Sequence, residues 1–330
     1  MSDIPTPTRI HAQTSVPSLG PIPSGAVKSL EQAGKYEEAR GLLSGWWRRI
    51  GERPDLAGLD VWSSAELLLR AGALSAFIGD MQEIVVAQEF ARNLLTEALR
   101  LFEQSQLIVK QAECLNYLAI CYLFEARLRE AHDFAHAALQ LVGHLDLERR
   151  AIILKDLGII ARSSQHVEQA LDYFSQANPL FEQIDNLAAR GNFHNAYAIA
   201  LQCRWTEGRD PRDRDLALEQ LAAASGYLER AGSLELRAVV ENNLGWLLYT
   251  AKMYKEAHAH LNTASRLFKS LNKLVHSAYC EETRAQVYLA EGQNGNAERA
   301  ARMAVRGLEL SNQRIWLAEA CITHGRALTR

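Results

Sequence analysis

The sequence predicts an all-α solenoid of tandem helical hairpins, and three observations predict it. From about residue 70 onward apolar residues recur three or four apart, as Val240, Leu244, Leu247, Leu248 and Ala251 do, which puts a stripe along one side of a helix. Short polar stretches such as Lys252 to Lys255 interrupt the stripes, which then resume with Ala257, Leu261, Ala264 and Phe268 on a second helix. Finally, an alanine of that second helix returns at Ala91, Ala131, Ala170, Ala217, Ala257 and Ala297, with spacings of 40, 39, 47, 40 and 40 residues. A two-helix unit cannot bury such stripes alone, so each copy asks for another on either side.

Taken in order, residues 1–25 hold five of the eight prolines among Ser, Thr and Gly, the composition of a disordered tail. The helical array is expected over residues 26–330 as about seven hairpins and an unpaired last helix. LEQAGKYEEARGLL (Leu30 to Leu43) reads as the turn and second helix of a divergent first unit, with Ala39 as its marker and Ile50 eleven residues on. Trp46, Trp47 and the Arg53-Pro54 stop lead into an irregular connection before Val61.

Beyond it the register is kept at other positions too. Gly79, Ala119, Gly158, Ala198, Gly245 and Ala285 precede the marker alanines at a fixed distance of twelve, or nineteen across one insertion. Ala98, Ala138, Ala177, Ala224, Ala264 and Ala304 follow them by seven, and Phe102, Val142, Phe181, Leu228, Phe268 and Leu308 by eleven. Small residues at fixed places let paired helices approach, and the larger residue fills the space between units. The 47-residue interval holds TEGRDPRDRD (Thr206 to Asp215), which reads as about seven extra residues in a turn. Its mixed charges make a secondary candidate contact surface over Arg209 to Asp215. After Ala297 the expected small residue falls at Gly325, so the last helix is the first of another unit. Two readings of that helix stay open: an atypical cap, or a passage into a longer polypeptide.

The 330 residues are 48% hydrophobic and 23% charged, and the formal net charge is -3 with an isoelectric point near 6.4. Such a balance gives no drive toward nucleic acid, so no direct nucleic-acid contact is expected. The N-terminus lacks a secretory pattern, and no apolar run is expected to reach membrane-spanning length, so a cytoplasmic protein without membrane contact is expected. Cys114, Cys121, Cys203, Cys280 and Cys321 lie in helical stripes and read as reduced core residues.

The unit resembles the tetratricopeptide repeat: YKEAHAHLNTASRLF (Tyr254 to Phe268) with Leu244 and Gly245 before it matches best, followed by REAHDFAHAAL (Arg129 to Leu139) and EQALDYFSQA (Glu168 to Ala177). The resemblance implies a right-handed superhelix. The period of about 40 departs from the family's usual 34 and is similar to the long variant in bacterial regulatory proteins, including peptide-sensing regulators and the sensor arms of transcriptional activators. The implied role is protein–protein or peptide binding, regulatory or scaffolding.

No phosphate loop, nucleophile elbow or dinucleotide fingerprint occurs, so no enzyme and no cofactor is expected. His132 and His136, four apart, have the spacing of a zinc-protease helix but Asp133 stands where that motif needs glutamate, and no third ligand is evident. Core packing is the better reading of Cys114 and Cys121, seven apart.

A stronger pattern lies on the first helices. Three residues before each small position stand Asn116, Lys155, Asn195, Asn242 and Glu282. In tetratricopeptide proteins this point faces the concave groove, where asparagines grip a peptide backbone; independently, an amide offers the donor and acceptor that a peptide bond needs. Residues four and seven further on share the face: Trp246 and Tyr249, Ile199 and Gln202, Ile159 and Arg162. The candidate peptide- or partner-binding groove is therefore Asn116, Lys155, Arg162, Asn195, Gln202, Asn242, Trp246 and Tyr249. The competing reading has the asparagines bonding neighbouring helices and Trp246 in the core. The alternative function is the N-terminal sensor or autoinhibitory arm of a longer bacterial transcriptional regulator, with an ATPase or DNA-binding domain beyond residue 330. Oligomeric state does not follow from the sequence.

Overall fold

The computed structural model describes residues 21–309 and 314–329; the rest of the expected tail, residues 1–20, lies outside the described residues. Among the described residues there are fifteen helices and no strand. They are α1 (Ser24–Gln32), α2 (Tyr36–Leu42), α3 (Val61–Met81), α4 (Ala87–Gln104), α5 (Ile108–Phe124), α6 (Leu128–Val142), α7 (Leu147–Ser163), α8 (Val167–Phe181), α9 (Leu187–Gly208), α10 (Pro211–Arg230), α11 (Leu234–Thr250), α12 (Tyr254–Ser270), α13 (Leu274–Ala290), α14 (Asn294–Leu308) and α15 (Arg314–Leu328).

From α3 to α14 each odd helix packs antiparallel on the even helix after it, and each pair stacks on the next. The register residues do what their sizes require. All six marker alanines, and the alanines seven residues after them, are fully buried. Where α7 crosses α8, a methyl group on Gly158 would lie 2.8 Å from the ring of Phe174, so the ring occupies the space that glycine leaves. The residues eleven after the markers close the gap to the next unit: Phe181 stacks on Phe193 of α9 with ring centroids 4.4 Å apart.

One turn recurs within the hairpins. Five residues before a marker alanine, Gly34, Ala126, Gln165, Lys252 and Gly292 all have positive φ. The amide after each bonds back to a carbonyl five residues earlier, as Arg127 N does to Tyr122 O and Met253 N to Leu248 O, both at 2.9 Å. The arrangement satisfies the orphan carbonyls at the end of the first helix and aims the second back along it.

Four expectations need correction. The second helix of the first unit ends at Leu42, and Ile50 lies in a turn rather than on a helix. Trp47 fills the core there instead, its indole donating to Glu52 O. Thr206 to Asp215 is not a loop: α9 runs on to Gly208, Arg209 alone takes the left-handed conformation, and α10 starts at Pro211 with Asp210 capping Arg212 N. The extra residues thus lengthen both helices, to 22 and 20 residues, and the Arg204–Asp213 and Arg214–Asp215 pairs absorb much of the charge. Of the cysteines, Cys114, Cys121 and Cys280 are buried, but Cys203 is half-buried and Cys321 exposed. Lastly, α3 is long and apolar enough by length and composition to cross a membrane. Fifteen of its 21 residues are buried among neighbouring helices, and Arg70 sits at its centre.

Candidate functional site

Odd helices touch the next odd helix throughout, from α3 through α15, whereas no two even helices pack closely among the described residues. The odd helices therefore form the inner, concave wall and the even ones the outer wall.

The short hairpin of α1 and α2 lies across the first half of that inner wall. Its contacts reach far along the chain: Gln32 Nε2 donates to Glu148 Oε1 at 2.8 Å, Lys28 pairs with Glu148, Asn186 donates to Gln32, and Gly34 packs by Leu236 of α11. Tyr36 stacks on Phe77 of α3 with centroids 4.7 Å apart. Beneath the hairpin, Arg70 is fully buried and bonds three carboxylates, Glu31 at 2.7 Å, Glu66 at 3.1 Å, and Glu113. Arg149 meets Glu113 at 2.6 Å, and Lys110 meets Glu66 at 2.6 Å. Three cations and three anions from α1, α3, α5 and α7 thus neutralise one another, all but Lys110 out of water. Burial would raise the Glu113 carboxyl, but Arg149, Arg70 and Lys110 hold it well below its usual range. Burial prevails at Glu31, which is raised despite Arg70.

Two chambers open on the inner wall. The first, about 240 Å³, lies under the N-terminal hairpin among α1, α3, α5, α7 and α9. Tyr36, Phe77, Tyr117 and Phe124 give it aromatic walls, and Lys28, Arg149 and Lys155 give it positive groups beside Glu31 and Asp156. The second, about 410 Å³, lies beyond the hairpin among α9, α11, α13 and α15, with Gln202, Asn242, Trp246, Tyr279, Glu282 and Trp316 in its lining.

The expected groove residues fall as follows. Asn116 and Lys155 border the first chamber, but Asn116 is only 1% exposed and donates to Asp156 Oδ2 at 2.8 Å, while Lys155 pairs with Asp156 Oδ1 at 2.9 Å. Gln202, Asn242 and Trp246 line the second chamber together with Ile199. Asn242 Oδ1 is buried without a hydrogen-bond partner. Asn195 lines neither chamber; its Oδ1 accepts from Asn243 Nδ2 at 2.9 Å, which fixes α9 to α11. Arg162, at the last turn of α7, lies outside both. So does Tyr249, which packs with Tyr254 against Leu248 and Leu261 at the turn into α12. Residues missed by the sequence pattern are Tyr36, Phe77, Tyr117, Tyr279 and Trp316. Tyr279 stands three residues before Glu282, itself on the stripe, and was the nearest signal.

Glu282 is 6% exposed, and Gln286 and Thr323 donate to its Oε1 at 2.6 and 3.0 Å. Burial nevertheless pushes its carboxyl up, and Glu319 adds to the push. A carboxyl raised on folding favours the folded state fully below its ordinary value of 4.5, and that contribution is lost as pH rises through the raised value. Glu282→Gln, uncharged throughout, is therefore expected to melt above wild type at about pH 7 and level with it near pH 4, read by circular dichroism.

His132 and His136 stack with centroids 5.8 Å apart, and among the described residues no group of three or more His, Cys, Asp and Glu could hold a metal ion.

No protein-family model matches the chain, and no curated protein sequence matches it. Solved structures do. A Rap protein complexed with competence and sporulation factor superposes with a TM-score of 0.66 at 16% identity, covering 92% of this chain and 81% of that one. A signal transduction ATPase with numerous domains and a tetratricopeptide repeat sensor, from Pyrococcus horikoshii, gives 0.62 at 12% identity, over 90% of this chain and 43% of that one. The apo form of the quorum sensor NprR from B. thuringiensis gives 0.57 at 12% identity, over 90% and 78%. The fold is that of a tetratricopeptide-type repeat solenoid, as the repeat register implied.

Proposed function

We propose that this chain is a non-enzymatic regulatory module that binds a peptide, or an extended segment of a protein, on its concave wall. The observation that carries the reading is the second chamber: Asn242, Gln202 and Trp246, on one stripe of the sequence, line one cavity of the inner wall. Asn242 Oδ1 lacks a partner, and a buried acceptor without one is costly unless a ligand supplies it. Trp246 gives an anchor of the kind that dominates binding energy at protein interfaces. The fold neighbours add support, since they include a Rap protein complexed with a sporulation factor, a quorum sensor and a sensor-bearing ATPase.

An array of acetylated and amidated pentapeptides, scored by fluorescence polarisation, tests it. Trp246→Ala is expected to weaken the best binders about thirtyfold, the loss typical of a buried aromatic anchor. The double change Asn195→Ala and Asn242→Ala is expected to weaken them about tenfold, mainly through Asn242. Undiminished binding by both variants would place the site elsewhere.

A further inference from the structure

The two chambers differ in charge. The first carries Lys28, Arg149 and Lys155 beside two carboxylates. The second has Glu282 and Glu319 in its lining and no arginine, lysine or histidine. Elsewhere on the inner wall buried carboxylates meet cations: Glu31, Glu66 and Glu113 share Arg70, and Asp156 has Lys155. Among the described residues, the donors to Glu282 are the neutral groups of Gln286 and Thr323, both on Oε1.

Three aromatic side chains share the chamber's lining with this carboxylate. Tyr279, one turn before Glu282 on α13, packs against Trp316 of α15 with centroids 5.1 Å apart, and Trp246 comes from α11. Aromatic faces are electron-rich and attract cations; combined with two carboxylates in the lining, they favour a positive group over a neutral one. The carboxylates of Glu282 and Glu319, with no cation in the lining, disfavour a carboxylate ligand by like-charge repulsion.

We propose that the chamber among α9, α11, α13 and α15 is a subsite for a cationic group of the bound peptide, seated against the aromatic lining of Trp246, Tyr279 and Trp316 and neutralised by Glu282 and Glu319. The proposal rests on the reading of the concave wall as a peptide site, and it names the chemistry that the site selects. The cation is an arginine or lysine side chain, or the peptide's own terminal ammonium.

The test uses capped pentapeptides in which Arg, Lys, Gln or Glu occupies each position in turn, and the same set with free amino termini. Wild-type protein is expected to prefer Arg or Lys at one position over Gln by about tenfold, the size of a good cation–aromatic and carboxylate contact. In Glu282→Gln combined with Glu319→Gln, that preference should fall to about twofold or less while the circular-dichroism melt stays cooperative. If only free-amine peptides show the gain, and the double variant abolishes it, the cation is the terminal ammonium and the subsite stands. Should the double variant fail to fold, Glu319→Gln alone, at an exposed carboxylate, is expected to lower the preference measurably. Peptide binding without any preference for cations, or a preference that survives the substitutions, would overturn the subsite and leave the peptide-binding reading intact. No binding by any peptide would remove both.

Discussion

Arg70→Met should lower the stability of the protein by about 3–5 kcal/mol, the cost of removing one partner from a buried ion cluster. Methionine fills similar space, so the loss comes from charge: Glu31, Glu66 and Glu113 would keep their burial and lose the guanidinium between them. Arg149 and Lys110 still serve Glu113 and Glu66, which leaves Glu31 the most exposed to the change. Glu31 is on α1, so the N-terminal hairpin should open first. Hydrogen exchange would show residues 24–42 losing protection ahead of the other hairpins, and urea denaturation would show the shifted midpoint. Adding Glu31→Leu should recover part of the loss, because one unpaired buried carboxylate is then gone. Unchanged protection over residues 24–42 would mean that the cluster does not hold the hairpin to the wall.

Gly79→Ala is the second large effect. A methyl group built on Gly79 would stand 2.1 Å from Ala87 Cβ and 3.5 Å from Ala87 Cα. A methyl group has no rotamer by which to move aside, so α3 and α4 must part, at a cost near the upper end of the usual 1–3 kcal/mol for over-packing, about 3 kcal/mol. Gly325 holds the matching place in α15 and has nothing within 4 Å of an added methyl. Gly325→Ala should therefore stabilise slightly, by about 0.5–1 kcal/mol, through helix propensity alone. Thermal melts of the two variants should move in opposite directions, although the register places both glycines at the same point of the repeat.

That contrast also shows why much of the fold was legible. The closest approach of paired helices tolerates only glycine or alanine, so the repeat marks itself in sequence at Ala91, Ala131 and their successors. The turn between helices left almost no mark, because Ala126, Gln165 and Lys252 occupy its left-handed position where glycine would have signalled it. At Asp210-Pro211 a signal was present: a capping residue and a first-turn proline start a helix, yet the surrounding charges read as a turn. Periodicity also cannot tell which charges meet. Arg70 finds Glu31 and Glu113 across 39 and 43 residues, and those contacts decide how the first hairpin lies across the wall.

The site was legible in part for a related reason. Asn242, Trp246 and Gln202 follow from helical spacing, but Tyr249 lies seven residues on, at the end of α11, where packing at the turn captures it. Trp316 enters the chamber from α15, outside the stripe altogether.

The concave wall as ligand site is tested most directly by photo-crosslinking. A photoreactive leucine would be placed in the tightest capped pentapeptide, and the attached residues identified by mass spectrometry. The account expects the crosslinks on α9, α11 and α13, around Gln202, Trp246 and Tyr279, with competition by the unlabelled peptide. Crosslinks confined to the outer helices, on α8, α10 or α12, would contradict it.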